Sequence, residues 1–343
     1  MHPVLFRIPG LGFPVRTFGA LVACGILLGI WYWGRLLARY GDDPREDPQR
    51  GSQVALWIVI GVLVGARLFY VGVESVRTLS TEITPGMRAY LEAEGHAAPP
   101  GEISPEDVEA ARRVSVGYDF LHDPFKILLI WQGGLVMYGG LIGGVLLGLY
   151  AARKHGLQPW NALDTGLTCG FLGLVFGRWG CLFVGDDYGS VVPDGWVDSW
   201  RPITLPNGGA IGPFTVRVPD LDWLNQNPES LFDHALAGKV LWATQPWMSL
   251  NALILAGMGL FWLSRRRHFG VPAALLLIQY AVTRFTIEAF RGDAVRGVWF
   301  GGRVSTSQLV SVGMLALGIL LFVKRRATPA IPSPDRARTA RAG

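Results

Sequence analysis

The sequence predicts an all-α polytopic membrane protein with seven transmembrane helices and a small extracytoplasmic head domain. Three observations support this fold class. Half of the 343 residues are hydrophobic and only 17% are charged, which is less charge than a soluble domain of this length carries. Apolar runs of membrane-spanning length recur along the chain. The 45 glycines and 13 tryptophans suit close helix packing and the two membrane interfaces.

Seven apolar runs are predicted as membrane spans, at about 17–34, 52–74, 138–152, 162–184, 246–264, 272–289 and 307–323. The third run is short, and the residues before it, Leu128 to Met137, are interpreted as an interfacial or re-entrant lead-in. Together the spans make one integral membrane domain over residues 1–326.

Basic residues in the short loops predict the orientation of these spans. They follow the first, third, fifth and seventh spans, at Arg35 and Arg39, Arg153 and Lys154, Arg265–Arg267, and Lys324–Arg326. All of these clusters fall on one side of the membrane if the N-terminus is outside. Because basic loops are retained in the cytoplasm, the sequence predicts an outside N-terminus and a cytoplasmic C-terminus.

Three segments are predicted to lie outside the spans. Residues 75–125 form an extracytoplasmic arm that includes a capped helix start in SPEDVEAARRV. Residues 185–245 are rich in Gly, Pro, Asp and Trp and contain the alternating piece FTVRV, which favours a small β-containing head. Residues 327–343 are predicted to be a disordered cytoplasmic tail.

Several function classes are disfavoured by composition. The net charge of +5 is explained by the cytoplasmic loops and does not indicate nucleic-acid binding. The three cysteines, Cys24, Cys169 and Cys181, lie in apolar stretches, so no disulfide framework is expected. All six histidines fall outside the predicted spans, which argues against an intramembrane metal site. No inverted repeat of the transporter kind is visible, and no cofactor is expected.

Arginines within two of the spans are the strongest functional signal. Arg178 and Arg284 each lie in an apolar stretch, where an arginine at the bilayer centre costs roughly 2.5–3.5 kcal/mol on insertion scales. Glu288 follows Arg284 by four residues on the same helix face, and Asp186 follows Arg178 by eight. A guanidinium binds phosphate oxygens in pairs, so a lipid phosphate of the outer leaflet is the predicted partner. A structural Arg–Glu pair or snorkelling to the headgroups is the alternative.

Four motifs in collinear order resemble those of the prolipoprotein diacylglyceryl transferase family. They are GARLFYV (65–71), IWQGGLVMYGGLIGG (130–144), GRWGCLFVGDDYG (177–189) and RFTIEAFR (284–291). The resemblance implies a seven-span enzyme of the bacterial inner membrane. Such an enzyme transfers diacylglyceryl from phosphatidylglycerol to the lipobox cysteine thiol in the signal peptide of a prolipoprotein. A thioether forms and glycerol-1-phosphate leaves.

The resemblance carries catalytic roles onto matching positions of this chain. Arg178 corresponds to the signature arginine that contacts the phosphatidylglycerol headgroup, and Arg284 and Glu288 correspond to the functional pair of the sixth helix. Asp186 stands where the family usually has Glu, and Gly189 matches the closing glycine of the signature. For Asp186, the capping of a turn is the alternative role.

Three positions depart from the family pattern. Tyr138 stands where many members have His, Cys181 replaces the signature Asn, and Phe18 lies where an N-terminal Tyr is common. Tyr138 is expected to orient the lipid by a hydrogen bond, with an interfacial aromatic as the alternative. Gly139 and Gly140 are expected to contact the lipid, with tight helix packing as the alternative.

Two further functions remain open at this stage. The departures at Tyr138 and Cys181 favour a diverged homologue that binds anionic lipid or lipoprotein precursors without transfer. Arg178, Arg284 and Glu288, which match the family, favour the enzyme. An unrelated transporter or intramembrane hydrolase is disfavoured because the spans hold no histidine and the sequence has no nucleophile elbow.

Overall fold

A computed structural model of the chain describes residues 1–7, 14–79, 120, 122–129, 134, 136–193, 195, 202–292, 298–299 and 304–330. Most of the extracytoplasmic arm predicted at 75–125, including SPEDVEAARRV, lies outside the described residues. The tail from residue 331 onward also lies outside them. The described part is mostly helical, as predicted.

Each predicted span lies within a helix, apart from residue 289 at the end of the sixth span, and the helices extend up to six residues beyond the predicted ends. The described helices are α1 (Thr17–Tyr40), α2 (Asp47–Leu79), α3 (Met137–Lys154), α4 (Pro159–Val184), α5 (Leu221–Gln226), α6 (Thr244–Ser264), α7 (Val271–Glu288) and α8 (Thr306–Arg326). Within the described residues, five of them are long and apolar enough to cross a membrane: α1, α2, α4, α6 and α8. A short 3-10 helix at Pro124–Leu128 ends where the lead-in predicted at Leu128 to Met137 begins.

The described strands are short and antiparallel. β1 (Val4–Arg7) pairs with β2 (Pro14–Arg16), and β7 (Val298–Trp299) pairs with β8 (Val304–Ser305). β3 (Ile203–Thr204), β4 (Ala210–Ile211), β5 (Thr215–Arg217) and β6 (Val240–Trp242) form one sheet in that order. β5 confirms the strand predicted from FTVRV. Val216 and Leu241 of this sheet are buried in one apolar cluster with Leu182 of α4 and Phe232.

The chain forms two compact units. The first unit contains residues 1–49 and 158–343, and the second contains residues 50–157. In the first unit, α4 packs against α1, α6 and α7, and α8 packs against α7. Helix α4 therefore lies at the centre of the first unit.

Glycines set the packing of α2 against α3 in the second unit. A side chain at Gly143 would collide with the carbonyl oxygen of Gly61, and one at Gly139 would collide with that of Gly65. The two backbones approach as closely as glycine permits. Gly139 thus has the packing role given as the alternative to lipid contact, and Gly143 packs in the same way.

A third span arginine, which the sequence analysis did not single out, organises the second unit. Arg67 of α2 is buried and donates hydrogen bonds to the carbonyl oxygens of Ile127 (2.9 Å), Lys126 (2.8 Å) and Gly134 (3.2 Å). Its guanidinium also lies 5.1 Å from the ring centroid of Phe120, within cation–π range. Arg67 therefore fixes the segment that leads into α3.

A buried carboxylate joins α4 to the start of α7 in the first unit. Asp164 has no exposed surface and accepts hydrogen bonds from the backbone N–H groups of Gly270 (2.8 Å) and Ala273 (2.9 Å). Nη1 of Arg266 lies 3.7 Å from its Oδ2. A negative charge at a helix N-terminus is favourable because the free N–H groups there carry partial positive charge. Asp164 thus fixes the position of α7 along α4.

Replacing Asp164 with Ala is expected to lower the free energy of unfolding by about 3–5 kcal/mol, because Arg266 is then left without its buried carboxylate. Reversible unfolding in mixed detergent micelles measures the change. Asp233→Ala is the matched control, since Asp233 is an exposed cap that accepts from Ala235 N (2.8 Å) and is worth about 0.5–2 kcal/mol. Equal losses for the two variants would contradict the role given to Asp164.

Candidate functional site

The site is built where α4 ends. Arg178 lies in the last two turns of α4 and is 7% exposed. The helix ends at Gly185, whose φ of 83° is left-handed. A side chain at Gly185 would collide with the ring of Phe232, so both backbone conformation and space require glycine here. The chain turns back at this point towards the end of α4.

Asp187 completes this turn with an unusual backbone conformation. Among the described residues, it is the one non-glycine with positive φ, at 55°. Thr244 Oγ1 donates to its carbonyl oxygen (2.9 Å), and Gln245 Nε2 donates to the carbonyl oxygen of Asp186 (2.9 Å). Both donors are buried in the first turn of α6. The start of α6 therefore holds the turn in place.

The carboxylate of Asp187 bridges two arginines. Its Oδ2 is ion-paired with Arg178 Nη1, and its Oδ1 accepts a hydrogen bond from Arg291 Nη2 at 2.6 Å. Arg178 comes from α4, whereas Arg291 follows the end of α7. Two guanidinium groups from different parts of the chain thus bind the same carboxylate.

A second carboxylate extends the cluster along α7. Glu288 Oε2 lies 2.6 Å from Arg284 Nη1 and 3.6 Å from Arg291 Nη1. Arg284 Nη2 also donates to Ser307 Oγ of α8, at 3.1 Å. The (i, i+4) pair expected for Arg284 and Glu288 is therefore present, and Glu288 links Arg284 to Arg291. In these ion pairs three guanidiniums share two carboxylates.

Gly189 allows the chain after the turn to pass close to β6. A side chain at Gly189 would collide with the carbonyl oxygen of Trp242. Gly189 forms a bridge with Arg291, and Ser190 N donates to Phe290 O at 2.8 Å. These backbone contacts bring Arg291 next to Asp187. The close approach to Trp242 thus explains why the last position of the motif is a glycine.

The electrostatics of Asp187 are dominated by the arginines. Burial alone would raise the pKa of this carboxyl, but Arg178 and Arg291, with a smaller effect from Arg284, hold the pKa below its ordinary value. The resting site therefore contains a carboxylate that stays ionised, close to three guanidinium groups.

Three of the residues predicted from the sequence meet in this cluster: Arg178, Arg284 and Glu288. The side chain of Asp186, also predicted, is exposed, and its Oδ1 accepts a hydrogen bond from Asp187 N at 2.9 Å. Asp187 pairs with Arg178 instead, because its positive φ turns its side chain towards α4.

Tyr138, Gly139 and Gly140 belong to the second unit, where they form the first turn of α3. Gly140 packs against Val62 of α2. Their predicted contacts with lipid stay predictions.

Asp187 and Arg291 are not among the site residues predicted from the sequence. A signal for Arg291 was present, since it follows Glu288 by three residues and Arg284 by seven, on the same helical face. For Asp187 no signal was present, because two adjacent aspartates are equivalent until the backbone conformation is known.

Comparisons with known proteins agree with the motifs. The family model for prolipoprotein diacylglyceryl transferase matches residues 3–84 and 108–324. A phosphatidylglycerol–prolipoprotein diacylglyceryl transferase of Allorhizobium ampelinum is 26% identical over 91% of the chain and 86% of its own length. The enzyme of the same name from Synechocystis is 25% identical over 92% of the chain and 86% of its own length.

Replacing Thr244 with Val should lower the free energy of unfolding by about 1–3 kcal/mol, because the carbonyl oxygen of Asp187 loses its buried donor. Thr244→Ser retains the hydroxyl and serves as the control, with a smaller loss. Unfolding in mixed micelles compares the two. A Val variant as stable as the Ser variant would show that the hydrogen bond does not hold the turn.

Proposed function

The chain belongs to the prolipoprotein diacylglyceryl transferase family, and from this premise we propose its activity. It is a multi-pass bacterial membrane enzyme that transfers the diacylglyceryl group of phosphatidylglycerol to a prolipoprotein. In finer terms, the acceptor is the lipobox cysteine thiol, the product is a thioether, and glycerol-1-phosphate leaves.

The observation that carries this proposal is the convergence of Arg178 and Arg291 on one carboxylate. A planar guanidinium binds phosphate with paired, charge-assisted hydrogen bonds. A phosphodiester therefore suits the position that Asp187 holds at rest. In a membrane, the abundant molecule with that chemistry is an anionic phospholipid.

The arginines supply the electrostatic part of catalysis. As the bond between the glyceryl carbon and the phosphate oxygen breaks, negative charge builds on the departing phosphate. Donors that are already in place in a buried site stabilise that charge at little reorganisation cost, and such stabilisation is commonly the largest contribution to catalysis. Arg178 and Arg291 have this role. Glu288 and Arg284 keep Arg291 in position through the ion pairs at 3.6 and 2.6 Å.

The site faces the outside of the membrane in this proposal. Helices α6 and α8 begin beside the site, at Thr244 and Ser307, and end at the basic clusters that start with Arg265 and Lys324. Each has 21 residues, which span about 30 Å at 1.5 Å per residue, the thickness of the hydrocarbon core. Basic residues favour the cytoplasmic side, so the arginine cluster lies at the outer leaflet.

Tyr138 keeps a proposed role in orienting the lipid through its hydroxyl group, and Gly139 and Gly140 keep proposed roles in lipid contact. Asp186 keeps its proposed catalytic role, although Asp187 is the acid that contacts Arg178. Gly189 is proposed to support the lipid site by its packing against Trp242.

A non-catalytic homologue that binds anionic lipid is the second candidate. Tyr138 and Cys181, which replace the family's His and Asn, favour it. The intact cluster of Arg178, Arg284, Glu288 and Arg291 favours the enzyme. Complementation distinguishes the two, because a binding module restores no lipoprotein maturation.

In cells depleted of their own transferase, the wild-type gene should restore lipoprotein maturation, measured by the mobility shift of a reporter lipoprotein. Arg178→Lys keeps the positive charge but loses the planar guanidinium with its paired donors. Transfer should therefore fall by about a hundredfold or more when the two proteins are present in the membrane in equal amounts. Arg217→Lys, on the exposed side of β5, is the control and should behave as wild type. Failure of the wild type would contradict the proposed function, and an active Arg178→Lys variant would make Arg178 structural.

Reporters fused to the chain test the orientation. A fluorescent protein that folds only in the cytoplasm should be bright after Arg326, and alkaline phosphatase should be active between β4 and β5, near Gly212. The reverse pattern would place the arginine cluster at the inner leaflet and exclude the proposed orientation.

A further inference from the structure

Asp187 is the acid that bridges two arginines of this site. Its positive φ of 55° is a backbone conformation that is unfavourable for a non-glycine residue, and such residues cluster at functional sites. Thr244 and Gln245 are buried and hold the surrounding turn through two hydrogen bonds of 2.9 Å. The fold therefore maintains a strained aspartate between two arginines.

The two oxygens of this carboxylate are used in the way that two phosphate oxygens would be. One oxygen is paired with Arg178 and the other with Arg291. A phosphodiester presents the same pair of anionic oxygens. Asp187 and a lipid phosphate thus compete for the same donors.

We propose that Asp187 is a catalytic residue: the lipid phosphate displaces its carboxylate from Arg178 and Arg291, and the freed carboxylate accepts the proton of the substrate thiol. This inference rests on the proposed function and deepens it by naming the proton acceptor.

The accessibility of the site acids favours Asp187. Its side chain is 22% exposed, whereas that of Glu288 is fully buried between Arg284 and Arg291. A substrate thiol that enters the site therefore has access to Asp187 and not to Glu288.

A thiol already contacts this carboxylate in the resting structure. Cys181 Sγ lies 3.9 Å from Asp187 Oδ2 and is placed to donate a weak hydrogen bond to it. Cys181 stands where the family signature has Asn. The sulfur of Cys181 thus lies at the distance from Asp187 that proton transfer from a substrate thiol requires.

The charges around Asp187 explain why it becomes basic only when lipid is bound. The groups that face it are Arg178 and Cys181 of α4, Arg284 of α7 and Arg291. At rest burial raises its pKa, but Arg178 and Arg291 outweigh burial and hold the pKa below the ordinary value. A phosphate that neutralises the two arginines removes that effect, so burial then raises the pKa and makes the carboxylate a better proton acceptor.

The S–H bond of the cysteine breaks, and its proton passes to the Asp187 carboxylate. The sulfur electron pair forms the S–C bond to the glyceryl carbon, while the C–O bond to phosphate breaks and its electron pair leaves with glycerol-1-phosphate. Asp187 then gives its proton to the departing phosphate, and its carboxylate returns to Arg178 and Arg291. No oxidant, reductant or metal takes part.

The test compares Asp187→Asn with the control Asp222→Asn, a change of an exposed acid in the first turn of α5, in purified enzyme, with phosphatidylglycerol micelles and a lipobox peptide. Asp187→Asn should lower kcat by about a hundredfold or more, while its binding of phosphatidylglycerol is unchanged or tighter because a competing anion is gone. Asp222→Asn should stay within a fewfold of wild type. Asp187→Gly adopts the positive φ without strain and should lose kcat in the same way if the Asn variant does not fold.

The dependence of kcat on pH separates a proton acceptor from a structural residue, because kcat reports the ionisations of the lipid-bound enzyme. The acidic limb, where wild-type activity falls as Asp187 becomes protonated, should disappear in Asp187→Asn and persist in Tyr138→Phe. An acidic limb lost from Tyr138→Phe instead, or a full loss of lipid binding in Asp187→Asn, would overturn the proposal. If the wild type transfers lipid and Asp187→Asn transfers it equally well, this inference fails while the proposed function stands.

Discussion

The structure depends most on how the charge of Arg178 is neutralised near the apolar end of α4. A buried guanidinium without an anion is strongly unfavourable. The anion is Asp187, which reaches Arg178 because its backbone turns left-handed after Gly185. This backbone conformation is held by Thr244 at the start of α6, which donates to the carbonyl oxygen of Asp187. It also requires that position 189 has no side chain. Asp187 thus connects the end of α4, the start of α6 and the segment after α7.

The buried arginines of this chain differ in the groups that accept hydrogen bonds from their guanidiniums. Arg67 donates to three backbone carbonyl oxygens, which are fixed parts of the fold that no ligand replaces. Arg178 and Arg291 share the carboxylate of a partly exposed aspartate, and a stronger anion competes for such a partner. The cost of inserting an arginine into the membrane does not distinguish Arg67 from Arg178 and Arg291. They are distinguished by the group that accepts their hydrogen bonds and by how accessible that group is.

Much of the fold could be predicted from the sequence, because the apolar runs locate the long helices and basic residues mark several of the loops between them. The pair of Arg284 with Glu288 was also predictable, because a spacing of four residues places both on one helix face. Asp187 was not, since only φ decides which of two adjacent aspartates turns towards α4. The hydrogen bonds from Gly270 and Ala273 to Asp164 join residues over a hundred positions apart, and no local pattern encodes them. The proposed activity was inferred from the four sequence motifs and not from the composition.

The most direct test is a structure of the protein in nanodiscs that contain phosphatidylglycerol. The account predicts a lipid phosphate within hydrogen-bonding distance of both Arg178 and Arg291, with the Asp187 carboxylate moved off both guanidiniums and open to the thiol. It would be contradicted by a lipid-bound structure in which Asp187 still bridges the two arginines while the phosphate of the donor lipid binds elsewhere.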